Sequence, residues 1–401
     1  MRFEKFSNII EDNTSNYYKI KKEDYQPLGL FPIIDQGQVF IGGYTDDEKL
    51  IIKENLPVII FGDHTKIFKY VDFPFTIGAD GVKVLSLKNQ SFNTKFYYYF
   101  LKTLRLTNAG YSRHFKYLKV CKLPIPDKVD DQLHIANILT KAENLISLRK
   151  ESIRLLDEFL KSTFLKMFGD PVRNEKEWEI SNIGFQCQVK GGKRIPLGSK
   201  LVKEDTGFPY IKAGNIKNGR ISQKELEYLT PELRKKLIRY TVEKGDICIT
   251  VVGVNIGDIG IVPEELHLAN LTENANKLLI KDKNKINNVY LTFYLMMGFI
   301  QNELFSNIRA SGVPKLAIFR IEQLKLLMPP IELQIRFAQI VEKTEALKTQ
   351  YQQSLLGLEN LYGSLSQKAF KGELSFKEEG LMIAAEPETR YLVGNSSNNL
   401  E

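Results

Sequence analysis

The sequence predicts an α+β protein. Two mixed α/β modules are separated by two long helices that pair as an antiparallel coiled coil, giving a pseudo-two-fold internal repeat. Three observations carry this. Residues 132–168 recur at 334–370, with 11 of 37 positions identical. Each copy has a helical heptad seam and no proline. Each copy also follows a β-rich block and a short proline-bearing strand, KLPIP at 122–126 and KLLMPP at 325–330.

The elements follow in chain order. Residues 1–125 form the first module, with strand runs in 51–63 and 81–89 and a helix in the aromatic stretch FNTKFYYYFLKTL at 92–104. Residues 126–171 hold the first long helix. Its seam is Leu139, Ala142, Ile146, Arg149, Ile153, Leu156, Leu160, Thr163 and Met167. Asp130 or Asp131 caps it, and Gly169-Asp170-Pro171 stops it. A helix over 130–168 spans about 58 Å. Residues 172–327 form the second module, with strand runs at 209–216, 244–253 and 276–284 and an apolar helix at 289–304. Residues 328–375 hold the second long helix. Its seam is Val341, Thr344, Lys348, Tyr351, Leu355, Leu358, Tyr362, Leu365 and Ala369, and Gly372 ends it. Residues 376–401 are a tail expected to be partly disordered beyond Pro387.

The 401 residues are 43% apolar and 26% charged, which excludes a wholly disordered chain. No apolar run approaches the ~20 residues of a membrane span, and the first residues lack a signal-peptide apolar stretch. Three cysteines (Cys121, Cys187, Cys248), none in CxxC spacing, exclude a disulfide framework and a cysteine-based zinc site. They read as small apolar groups. The expected compartment is the cytoplasm.

The net charge of +8 is unevenly placed: +5 in 1–129, −1 in 130–171, +7 in 172–327 and −3 in 328–401. Two separate basic modules suggest two contacts with a polyanion. Their loops are rich in Gly, Asn, Lys and Arg, which bring backbone close to a ligand and donate to phosphates and base edges. In the second module, Lys190, Gly191, Gly192, Lys193 and Arg194 form a basic glycine loop suited to phosphate. Lys212, Asn215, Asn218, Arg220, Asn255, Asn274, Asn276, Lys277 and Lys315 lie on the remaining loops, 212–220, 251–260, 271–277 and 310–315. In the first module the candidates are Gln36, Asp63, His64, Lys66 and Lys69, on 34–44 and 61–70. Asn pairs with adenine and Arg with guanine at two points, so Asn215, Asn218, Arg220 and Asn255 are the leading base readers of the second module, with Asp63, His64 and Lys66 in the first.

Catalytic signatures are absent from the sequence. There is no phosphate loop, GxGxxG after a strand, GxSxG or HExxH. The four histidines are scattered, and no [DN]PP[FYW] methyltransferase tetrapeptide occurs. Neither a catalytic group nor a metal site is expected.

The ordered set PIP at 124–126, KMFGDPVRNEKEW at 166–178, the GDI–strand–GVNIG run at 245–257, PKLAIFRIEQLKLLMPP at 314–330 and KAFKGEL at 368–374 resembles the specificity subunit of type I restriction-modification systems, over about residues 1–375. The resemblance implies two target-recognition domains, each reading one half of a split, asymmetric DNA sequence through the major groove. It implies a coiled coil that sets the gap between the halves and docks two modification (methyltransferase) subunits, with restriction (endonuclease and translocase) subunits able to join. S-adenosylmethionine, ATP and Mg would belong to those partners, and this chain would need no cofactor. The alternatives are a fused piece of a combined restriction-methylation enzyme, and a coiled-coil scaffold whose basic modules bind RNA or an acidic protein.

Overall fold

The computed structural model describes residues 1–89, 91–106, 113–306 and 314–374. The predicted tail, and residues 310–313 of one predicted loop, lie outside the described residues. Packing divides the chain into two compact units, Met1–Leu148 with Ser354–Glu401, and Arg149–Gln353. Each unit takes part of both long helices, which run Val129–Phe168 and Ile331–Lys371.

In the first unit, strands Ile10–Asp12, Val82–Leu87, Val58–Gly62 and Phe68–Val71 make an antiparallel four-stranded sheet in that spatial order. In the second, Cys187–Gly191, Ala275–Ile280, Ile247–Thr250 and Ile259–Ile261 repeat that order and sense. There the sheet grows to six strands, because the hairpin Ile216–Lys217/Gly219–Ile221 adds to its edge. Each unit has a second sheet with parallel pairing. In the first, Thr76–Gly78 pairs parallel with both Lys19–Ile20 and Phe31–Ile34, and in the second Pro209–Ile211 pairs parallel with Asn270–Leu271. The strands that lead into the long helices, Lys122–Ile125 and Lys325–Met328, each pair antiparallel with the strand that opens their module, Arg2–Lys5 and Glu179–Asn182.

The α+β class and the paired long helices are as the sequence predicts. In the first unit, Ile135, Ala136 and Leu139 from the start of the first helix share a buried cluster with Ala369 and Phe370 from the end of the second. In the second unit, Leu160, Phe164 and Phe168 from the end of the first helix share one with Phe337 and Val341 from the start of the second. Start against end in both units is the antiparallel sense. All predicted seam positions are buried or half-buried. The two charged ones find partners: the Arg149 guanidinium lies 4.4 Å from the Tyr351 ring centre, and Lys348 pairs with Asp157.

The residues shared by the two helix copies hold each module in the same way. Gln132 Oε1 accepts from Asn93 N (2.8 Å), and Gln334 Oε1 accepts from Asn287 N (2.8 Å). Asn93 and Asn287 cap the module helices Thr94–Thr103 and Asn288–Met296. Both glutamines are buried. Phe370 sits 5.4 Å from Phe96, and Phe168 sits 4.7 Å from Tyr290, ring centre to ring centre. Gln334 Nε2 also donates to the carbonyls of Lys285 and Pro329 (3.0 and 2.8 Å). Gln334→Ala therefore strands one donor and two acceptors. A stability loss of about 1–3 kcal/mol is expected, measurable as a lower midpoint in urea unfolding.

Other details refine the expectations. Asp130 and Asp131 lie inside the first turn rather than at the cap, where their charge complements the helix dipole. Gly169 (φ +79°) and Gly372 (φ +75°) end the helices in left-handed geometry. Trp178 Nε1 donates to the carbonyl of Phe168 (2.8 Å), which explains the conjunction of glycine and tryptophan in 166–178. The predicted 289–304 helix is two, Asn288–Met296 and Gly298–Ser306, because Met297 adopts extended backbone. The aromatic run at 96–100 is core, as are Cys187 and Cys248, while Cys121 is half-buried.

Candidate nucleic-acid interface

In the second unit most of the predicted loops converge. Gly192 N donates to Ala275 O (3.0 Å) and Lys193 N to Leu271 O (2.9 Å), which joins 190–194 to 271–275. A Cβ on Gly192 would lie 2.0 Å from Thr272 O, so only glycine fits. Thr272 N donates to Ile211 O (3.0 Å), which brings in the loop at 212–215. Val251 N donates to Asn274 O (2.8 Å), and Val252 bridges Lys315, which adds 251–257 and the chain at 314–315.

This cluster presents Lys190, Gly191, Lys193, Arg194, Lys212 and Lys315 at the surface, with Asn255 and Asn274 half-buried among them. Arg194 is 76% exposed yet tethered, its Nε 2.6 Å from Glu273 Oε1. Burial works against the Glu273 carboxylate, but Arg194, a backbone N–H and the Thr272 hydroxyl together outweigh it and hold its pKa below the usual value. Lys212 pairs with Glu227. Between Arg194, Leu197, Tyr210, Lys212, Glu273 and Asn274 lies an open cleft of about 530 Å³.

Several candidates have internal tasks instead. Asn215 closes its own loop: its Oδ1 accepts from Lys212 N (3.0 Å) and its Nδ2 donates to Lys224 O (3.4 Å). Asn276 is buried in the strand Ala275–Ile280. Lys277 Nζ donates to Thr241 O (2.7 Å) and lies 3.6 Å from Asp246. Asn218 and Gly219 (φ +51° and +79°) make the two-residue turn of the 216–221 hairpin, a geometry that favours Asn-Gly. Arg220 on that hairpin pairs with Glu345 of the second long helix. Burial lowers its pKa, and Asp157 of the first helix opposes that. The predicted guanine reader is thus a clamp between the module and the helices.

In the first unit the loops at 35–40, 62–66 and 78–81 also meet. Gln36 Oε1 accepts from His64 N (3.3 Å), Gln36 O accepts from Thr65 Oγ1 (2.7 Å), and Asp63 N donates to Gly81 O (2.6 Å). Gln36, His64 and Lys66 are half-buried here. Asp63 and Lys69 depart from the expectation of exposed contacts. Asp63 is 3% exposed, and its Oδ1 accepts from Phe115 N (2.6 Å). Lys69 is 4% exposed and donates to the carbonyls of Asp35, Val39 and Phe40 (2.8, 2.6 and 3.2 Å). It organises the loop from within. Burial lowers its pKa, against the pull of Asp35.

The sequence pattern described as the type I restriction modification DNA specificity domain matches residues 3–157 and 175–356. The chain belongs to this family. Within it, an Escherichia coli relative named the EcoR124I/EcoR124II type I restriction enzyme specificity subunit is 24% identical over 82% of this chain and 83% of its own length. The MjaIX specificity subunit of Methanocaldococcus jannaschii is 21% identical over 65% of this chain and 62% of its own. Among solved structures, a type I S subunit from M. genitalium matches with TM-score 0.59 and 19% identity, covering 94% of this chain and 96% of that one. A chain from a structure on complex assembly of a type I restriction-modification system matches with TM-score 0.54 and 15% identity, covering 93% and 98%. Both likenesses speak for the fold of a specificity subunit. Among the described residues no helix is long and apolar enough to cross a membrane, and no group of three or more His, Cys, Asp or Glu is placed to hold a metal.

Sequence reasoning missed Leu197 and Val254, both fully exposed on these loops. It also missed Asp35 and Glu273, the carboxylates beside Lys69 and Arg194.

Proposed function

We propose that this specificity-family chain is the DNA-reading subunit of a type I restriction-modification complex, and that each unit reads one half of a bipartite, asymmetric target. One observation carries this reading: each unit gathers its polar loops at one place on a sheet of the same strand order. Lys190, Lys193, Arg194, Lys212 and Lys315 hold phosphates, and Asn255 and Asn274 face base edges. In the first unit Gln36, His64 and Lys66 take those parts. The chain itself performs no chemistry. Two methyltransferase subunits dock on the long helices and supply S-adenosylmethionine-dependent adenine methylation, and restriction subunits bring ATP- and Mg-dependent cleavage. The complex works in the cytoplasm.

The test is a methylation map of host DNA with and without the chain. A motif of two half-sites around a fixed gap supports the reading, while an unchanged map refutes it. Binding to duplex without sequence preference would favour the scaffold alternative. Changing Lys193 and Arg194 to Ala should lower the slope of log affinity against log salt by about 1.8, at ~0.9 per phosphate contact. An unaltered slope would reduce 190–194 to a turn.

A further inference from the structure

The loop 251–257 joins strands Ile247–Thr250 and Ile259–Ile261. Two of its aliphatic side chains point inward: Val251 is 2% exposed and Ile256 6%. Val254 is 102% exposed, so it packs against nothing in its own fold. The loop is nevertheless firmly held. Gly257 N donates to Thr250 O (2.9 Å), Asp258 N to Asn255 O (3.0 Å) and Gln301 Nε2 to Gly257 O (3.1 Å). Gly253 and Gly257 bracket it at φ +97° and +89°, a reversal that side chains would strain. Its first residues are bonded to Asn274 and Lys315, so Val254 stands within the basic loop cluster. A β-branched side chain has few rotamers to lose on contact.

The resulting arrangement is a stiff aliphatic knob among cations and amides. A duplex major groove offers one apolar group, the C5 methyl of thymine. The same A·T pair carries the adenine N6/N7 edge that an Asn recognises. We propose that Val254 is a specificity-determining residue of the second unit that reads a thymine methyl, next to the amide of Asn255. This rests on the reading of the chain as a DNA-recognition subunit.

The test uses the full chain, wild type and Val254→Ala, with duplexes carrying the mapped motif. Each thymidine in the half-site of the second unit is replaced singly by deoxyuridine, which lacks only the methyl. Because Val254 is fully exposed, the variant should unfold at the wild-type temperature, and that is checked first. At one position deoxyuridine should weaken wild-type binding about fourfold, the value of one methyl-sized group leaving water. The variant should bind the thymidine duplex about fourfold more weakly and show no further loss at that position. Deoxyuridine tolerated everywhere, an equal penalty in the variant, or a half-site made only of G·C pairs would overturn the proposal. A wild-type chain that does not prefer its motif over a scrambled duplex would instead overturn the DNA-recognition reading itself.

Discussion

Exchanging residues 1–125 for the matching block of a relative changes one half of the methylated motif and leaves the other half intact. The first unit has its own buried clusters, one around Phe61, Phe96 and Tyr97 and one around Ile34, Ile60 and Phe75. The module of residues 1–125 packs on the helices through a buried cluster shared with Ile135, Ala136, Leu139, Ala369 and Phe370, and through polar contacts of Gln132 with Asn93 and of Glu143 with Tyr99 and Lys102 (3.0 and 2.5 Å). A donor block that keeps these positions seats on the same helices. Each altered base pair costs ~1–3 kcal/mol, so several together abolish methylation of the old motif. Methylation mapping of the chimera reads this directly. If both halves of the motif changed together, independent reading would be wrong.

Lengthening both long helices by one heptad widens the gap in the recognised sequence by about three base pairs. Lys150 and Gln352 are the places to insert, because their neighbours Arg149 and Tyr351 stack on each other and mark facing positions. Seven residues add about 10 Å of helix at ~1.5 Å each and keep the seam in phase. B-DNA rises ~3.4 Å per base pair, hence the shift of three. The half-sites should be unchanged. An unchanged gap, in a protein still folded and directing methylation, would mean that something other than these helices sets the distance. Inserting into one helix alone should instead unfold part of the seam, since the partner helix has no residues to match.

The long helices were legible because heptad spacing, proline-free length and the terminal glycines Gly169 and Gly372 state one geometry without competition. The convergence of loops was legible only in part. Asn215, Asp63 and Lys69 have the residue types of ligand contacts, but the same amide, carboxylate or ammonium closes a loop equally well from inside. Asn276 and Lys277 fall in both the predicted loop 271–277 and the predicted strand run 276–284, and the strand Ala275–Ile280 claims them. Arg220 looked like a base reader, and only the fold brings Glu345 to it. Val254 gave no signal at all: a valine between glycine and asparagine reads like any other until its exposure is known.

Gln132 and Gln334 hold their modules by a main-chain N–H, that of Asn93 in one half and Asn287 in the other. A grip on backbone does not inspect the side chains of what it grips. The helices thus carry two matching sockets, each of which receives an asparagine-capped helix start with an aromatic ring beneath it. A module exchanged for another that keeps these contacts should therefore leave the shared frame in place.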